Sequence, residues 1–213
     1  LYILFVPYPK EKKQASLKEQ KTGSVRLRSP QWRFSLMLAV IAGIIICFNS
    51  IISLRVPDII VDARMGTATT AGTVLSLMQL TGIVAGVGFA SLTHVFKKNL
   101  LMIMCFGFGL ALALIGLSGQ LWSLVLGTLL AGFTYSTGVT SIFYHLSEKI
   151  PTNLLNLATS LVLIGCNLGS AVSSFFIQLV TPLAPSNHLL FVLIGALMLL
   201  TGVFASQLLA RTK

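Results

Sequence analysis

The sequence predicts an all-α, polytopic transmembrane bundle, and three observations carry that prediction. Six apolar runs of about membrane-spanning length contain no Asp, Glu, Lys or Arg. The basic residues gather in segments that alternating helices would bring to one side of a membrane. The connections after the first run are too short to hold a further domain. Composition agrees: 55% of the residues are hydrophobic and 9% are charged, against roughly 25% charged in a soluble domain. In hydrocarbon every backbone N–H and C=O must find its partner within its own segment, so runs of this length read as helices.

The chain opens LYILFVPYPKEKKQ. Leu1–Val6 reads as the last turn and a half of a preceding transmembrane helix that ends at Pro7, and residues 1–9 are assigned to it. At 1.5 Å per residue this stub covers about 9 Å, so roughly fourteen more residues are expected upstream. The chain is accordingly read as the C-terminal portion of a longer protein. Residues 10–33 form a basic linker rich in Lys, Gln, Ser and Gly, in which EKKQASLKEQK has the make-up of a short surface helix. Pro30, Trp32 and Arg33 stand where an interfacial anchor belongs. The six-helix bundle occupies residues 34–209, with spans at Phe34–Leu54, Ala71–Thr93, Leu100–Leu117, Leu121–Tyr144, Leu154–Thr181 and Leu189–Leu209. Residues 210–213 are a short tail.

A net charge of +10 could point to nucleic acid, but its distribution does not. Thirteen of the fifteen Lys and Arg lie in Lys10–Arg33, at Lys97 and Lys98, at Lys149 and at Arg211 and Lys213. If the spans alternate in direction, all of these share one side, and only Arg55 and Arg64 lie opposite, beside Asp58 and Asp62. This is the positive-inside bias of a cell-membrane protein whose linker and C-terminus are cytoplasmic. Cys47, Cys105 and Cys166 each stand alone in a different span and read as inert thiols. His94 and His145 fall on the cytoplasmic side and His188 on the other, so they read as solvated or interfacial groups and cannot share a metal. No span carries Asp, Glu or His in its core, which argues against an intramembrane hydrolase and hence against an enzyme. No cofactor or metal is expected.

Polar residues divide the spans unequally. The third has no Ser, Thr, Asn or Gln, and the sixth has only Thr201, Ser206 and Gln207, whereas the second, fourth and fifth each carry five or more. Lipid tolerates a uniformly apolar helix, and a water-filled path needs polar groups. The reading is a three-plus-three arrangement with the third and sixth helices outermost. Six helices in two triplets after a basic loop resemble the C-terminal half of a major facilitator superfamily transporter. The loop GFASLTHVFKKN resembles that family's cytoplasmic loop motif at Gly88, Leu92, Lys97 and Lys98; Thr93 or His94 stands where the motif has an acidic residue. The resemblance covers the whole chain. It implies two inverted three-helix repeats, an N-terminal six-helix half outside these residues, and alternating access around a midplane site.

Three constellations could serve such a site, each with a structural alternative. Gly82 and Gly86 in the second span, and Gly165 and Gly169 in the fifth, are small-xxx-small faces suited to static packing or to gating contacts. The fourth span holds the hydroxyl-rich run Gly132–Ser141, whose hydroxyls either bond back to their own helix or line a path; Tyr135 is too large to hide in that way and needs a partner. The resemblance places the first helix of each triplet at the cavity, so Asn49, Ser53, Thr128 and Tyr135 are lining candidates, as is Gln79; Asn49 could equally join two helices. The fifth span has the clearest geometry. At about 100° per residue from Asn156, Ser160, Asn167, Ser170, Ser174 and Gln178 share an arc of about 80°, and Gly165 and Gly169 fall on the opposite face. The stripe reads as a solvated path or as interhelical glue.

The resemblance implies movement of a small organic solute across the lipid bilayer. The spans contain no Arg or Lys for an anion, which favours neutral, amphipathic or cationic solutes. Drug-like efflux is preferred, with uptake of a sugar or metabolite, or a non-transporting membrane scaffold, as alternatives. If protons or another cation drive transport, the titrating carboxylate is expected in the absent half. Asp58 is the nearby candidate here, and an ion pair with Arg55 is its simpler role.

Overall fold

The computed structural model describes residues 29–96, 99–182, 184 and 186–211. The stub assigned to residues 1–9, nearly all of the linker, and Lys97 and Lys98 lie outside the described residues. All six apolar runs are helices: α1 (Ser29–Asp62), α2 (Ala68–Phe96), α3 (Leu100–Gly116), α4 (Leu121–Lys149), α5 (Thr152–Val180) and α6 (Asn187–Arg211). Five are long and apolar enough to cross a membrane, and α3, at 17 residues, sits at the short end of the crossing range. Local chemistry sets two of the starts. Thr67 and Thr70 exchange side-chain and backbone hydrogen bonds at the head of α2, a reciprocal cap. At the head of α6 the Leu189 N–H donates to the Ser186 hydroxyl.

The helices outrun the apolar runs. α1 begins at Ser29, inside the segment assigned to the linker, and continues past Leu54 and through Pro57 to Asp62. Arg55, Asp58 and Asp62 therefore stand on a helix rather than in a loop, and Arg55 pairs with Asp58 at 3.8 Å. Loss of apolarity marks where hydrocarbon ends, and a helix needs no hydrocarbon to go on hydrogen-bonding to itself.

The packing repeats itself between the two triplets. α1 runs parallel to α5, with Ala39 and Gly43 against Gly165 and Gly169: a Cβ on Gly165 would overlap the Ala39 carbonyl, and one on Gly169 the Gly43 carbonyl. α4 runs parallel to α2 in the same way, with Gly132 seated on the Met78 carbonyl and Ser136 beside Gly82. First helix of one triplet on middle helix of the other is the rule in both pairs. α3 and α6 pack antiparallel on each other through Gly109 and Gly195, each glycine backbone facing the other. Exchanging the triplets maps these contacts onto themselves, as inverted repeats require.

One expectation needs correcting. α3 is the most uniformly apolar helix but not an outlying one: ten of its 17 residues are buried, between α4 and α6. By contrast, five of 29 are buried in α5 and four of 29 in α2. Lipid tails and a protein interior are equally apolar, so the absence of polar residues cannot say which of the two a helix meets.

Candidate functional site

α5 presents three faces. The polar arc is exposed along its whole length, since Asn156, Ser160, Asn167, Ser170, Ser174 and Gln178 are all accessible. Gly165, Gly169, Val162 and Ile177 turn inward, and the glycines clamp α1. A second exposed face, with Ile164, Leu168, Phe175 and Leu179, is wholly apolar. One apolar residue, Leu163, falls within the polar arc, and the Asn167 carboxamide donates to its carbonyl at 2.9 Å. Ser160 likewise donates to the Asn156 carbonyl at 2.9 Å. These bonds are local and hold no second helix, so they leave the arc free to face water or a solute.

Other candidates meet α5 at mid-depth. Tyr135 stands 14 residues from either end of α4, and Cys166 stands 14 from either end of α5. Tyr135 and Cys166 are both partly buried against the apolar core. The Tyr135 ring also packs on Phe108 of α3, with centroids 6.4 Å apart. From α1, the Ser50 hydroxyl donates to that of Ser170 at 3.4 Å. Beside it is Asn49, half-buried, with a carboxamide oxygen that is buried and has no partner. Ser53 donates to the Asn49 backbone carbonyl at 3.3 Å. Ser50 of α1 and Ser170 of α5 thus meet, while Asn49, Tyr135 and Asn167 carry uncharged hydrogen-bonding groups on three different helices. Sequence reasoning passed over Ser50; its place beside Asn49, one turn before Ser53, was the available signal.

The remaining candidates lie elsewhere. Thr128 is fully buried, and its hydroxyl bonds the Leu124 and Val125 carbonyls of its own helix. Thr134, Thr137, Thr140 and Ser141 do the same, each bonding a carbonyl one turn back. Ser136 is different, donating across to the Gly82 carbonyl at 3.0 Å, and Thr81 returns a bond to Leu129 at 3.1 Å. Most of the hydroxyl run therefore serves α4 itself, and one member joins α4 to α2. Gln79 is exposed on α2, on the face shared with Gly72, Ser76 and Gly86. Neither Gly72 nor Gly86 has an atom within 4 Å of its absent Cβ. Among the motif residues, Gly88 and Leu92 are half-buried, and Thr93 at the acidic position bonds the Phe89 carbonyl.

The histidines remain apart, but one departs from expectation. His145 is buried at 2% exposure. Its Nδ1 lies 3.6 Å from Glu148, its ring meets Tyr144 edge-on, and its Nε2 is buried without a partner. It is not a solvated group; α1 approaches this end of α4, where the Lys149 ammonium sits 5.2 Å from the Phe34 ring centroid. His188 bonds the Gly116 carbonyl, tying α6 to the end of α3. Among the described residues no group of three His, Cys, Asp or Glu could hold a metal ion.

The described site is therefore a polar wall without charge, built on a glycine-clamped helix in a six-helix unit of two inverted triplets. No curated protein matches the chain. The sequence profile of the Major Facilitator Superfamily matches it twice, over residues 1–174 and 38–213, which together span its full length. With six apolar helices packed as inverted triplets and this match end to end, the chain belongs to the Major Facilitator Superfamily, a family of multi-pass membrane transporters.

Proposed function

We propose that this chain forms one half of the wall of a midplane transport path and moves a small organic solute by alternating access. The observation that carries the reading is the polar arc of α5, exposed over the full length of the helix while the opposite face is clamped to α1. Interhelical glue would have to meet a partner helix, and among the described residues one member of the arc does so, Ser170 with Ser50 of α1, while Asn156, Ser160, Asn167, Ser174 and Gln178 are exposed. A second six-helix half supplies the opposing wall. The described parts of the spans offer hydroxyls, carboxamides and a phenol but no cation at mid-depth, which favours neutral, amphipathic or cationic solutes over anions. Drug-like efflux fits this amphipathic lining better than sugar uptake. Coupling to a proton or another cation draws on a carboxylate in the other half, since Asp58 is already paired with Arg55. The basic end of the bundle faces the cytoplasm at the cell membrane.

The test is Asn167→Leu in the complete protein, assayed for solute transport in vesicles alongside melting temperature in detergent. Transport should be lost or redirected while expression and melting stay near wild type. A variant that unfolds, with normal transport by the surviving fraction, would make the arc structural. A cysteine at Ser186 should label from outside the cell, and protection there would reverse the orientation.

A further inference from the structure

A groove of about 680 Å³ lies between α1, α5 and α6, away from the polar arc. Its walls are apolar except for Thr201, and they include Leu36, Val40, Leu168, Leu200 and Phe204. On α5 the groove uses the apolar exposed face and the glycine edge, so it opens to the surroundings and not to the proposed transport path. Along α1 it runs from Leu36 to Phe48, a rise of about 18 Å. One leaflet of a bilayer contributes about 15 Å of hydrocarbon. The groove thus has the depth of a single acyl chain entering from one side.

Its mouth carries charge. At about 100° per residue, Arg33 and Trp32 fall within about 60° of the line through Leu36, Val40 and Cys47. Arg33 stands one turn beyond Leu36, exposed, and no carboxylate among the described residues pairs with it. Trp32 beside it is 45% exposed, as suits a ring at headgroup level. The Arg33 guanidinium can bind phosphate bidentately, and it lies at the end of α1 from which the groove starts.

We propose that the α1–α5–α6 groove is a binding site for one anionic phospholipid of the leaflet at the basic end. One acyl chain lies between Val40 and Leu168, and the headgroup is held at Arg33. The charge at the mouth decides between this occupant and a second copy of the chain, which would have to bury Arg33 against another Arg33 or leave it unpaired.

The experiment is native mass spectrometry of the complete, delipidated protein titrated with phosphatidylglycerol and with phosphatidylcholine of identical chains. One basic residue near an anionic surface contributes roughly 1 kcal/mol, so phosphatidylglycerol should be retained about five-fold over phosphatidylcholine. Arg33→Gln should bring that ratio close to one. Val40→Trp and Leu168→Trp fill the groove from facing walls, at exposed positions, and each should reduce retention of both lipids without lowering the melting temperature. Should one of them fail to fold, the other decides. Equal retention of the two lipids by the wild type would overturn the headgroup assignment. Unchanged retention in the folded tryptophan variants would overturn the groove, as would a dimer that excludes lipid from it.

Discussion

α3 and α5 solve opposite problems with similar lengths of chain. α3 carries no hydroxyl or carboxamide and is enclosed on most sides, by α4 and α6. α5 carries a hydrogen-bonding residue on nearly every turn and leaves most of its surface bare. In a soluble protein the polar helix would be the exposed one because water surrounds the fold. Here the surroundings are hydrocarbon, so a bare polar face needs something other than lipid beside it. The comparison teaches that a bare polar face sets one side of α5 apart from lipid, whereas apolarity by itself does not say whether a helix meets lipid or protein.

The contrast can be broken first by chemical access, where the expected difference is all or none. In a background lacking Cys47 and Cys166, Cys105 of α3 should resist a maleimide added to the folded protein, while a cysteine at Ser174 of α5 should react. Protection at both positions would mean that the α5 arc is covered after all. Stability provides the next test. Phe108→Ala empties a fully enclosed site against Tyr135 and should cost on the order of 3–5 kcal/mol. Phe175→Ala, at a residue 71% exposed, should fall within about 0.5 kcal/mol of wild type. Reversible unfolding in mixed detergent measures both, and similar losses would erase the distinction between the helices.

A smaller contrast separates the glycines that looked alike in sequence. Gly169→Ala pushes a methyl group into the Gly43 carbonyl, an overpacking that should cost about 1–3 kcal/mol. Gly86→Ala meets open space and should be neutral, or stabilising by up to about 1 kcal/mol through helix propensity. The smallest effect concerns hydroxyls. Ser136→Ala removes the bond to Gly82 across α2 and α4 and should cost about 0.6 kcal/mol. Ser160→Ala, whose bond stays within α5, should cost less. If the order were reversed, the α2–α4 seam would not depend on that hydrogen bond.

How far the sequence reaches differs between fold and site. Each of the six apolar runs became a helix, and the inward and outward faces of α5 came out as its periodicity indicated. Gly165 and Gly169 were legible because a helix that must approach another closely leaves small residues four apart. His145 was not legible: its place near a helix end suggested solvent, and only the packed structure shows it buried. Thr128 looked like its neighbour in spirit, Tyr135, yet the one is sealed inside the bundle and the other is half-buried, with its ring on Phe108 of α3. Nothing in a single helix says which of its hydroxyls will be overlaid by the next.

By itself, then, the sequence determined solvent and secondary structure. Those properties are local: a run without charge partitions into hydrocarbon and must hydrogen-bond within itself. The tertiary structure alone decided that α1 pairs with α5 and α4 with α2, that α3 is enclosed, and that the α5 arc and the α1–α5–α6 groove stay uncovered. Pairing of helices in hydrocarbon depends on close fit between particular surfaces rather than on apolarity, which all six share. Fit belongs to two chain segments at once, and it exists only after both have been placed.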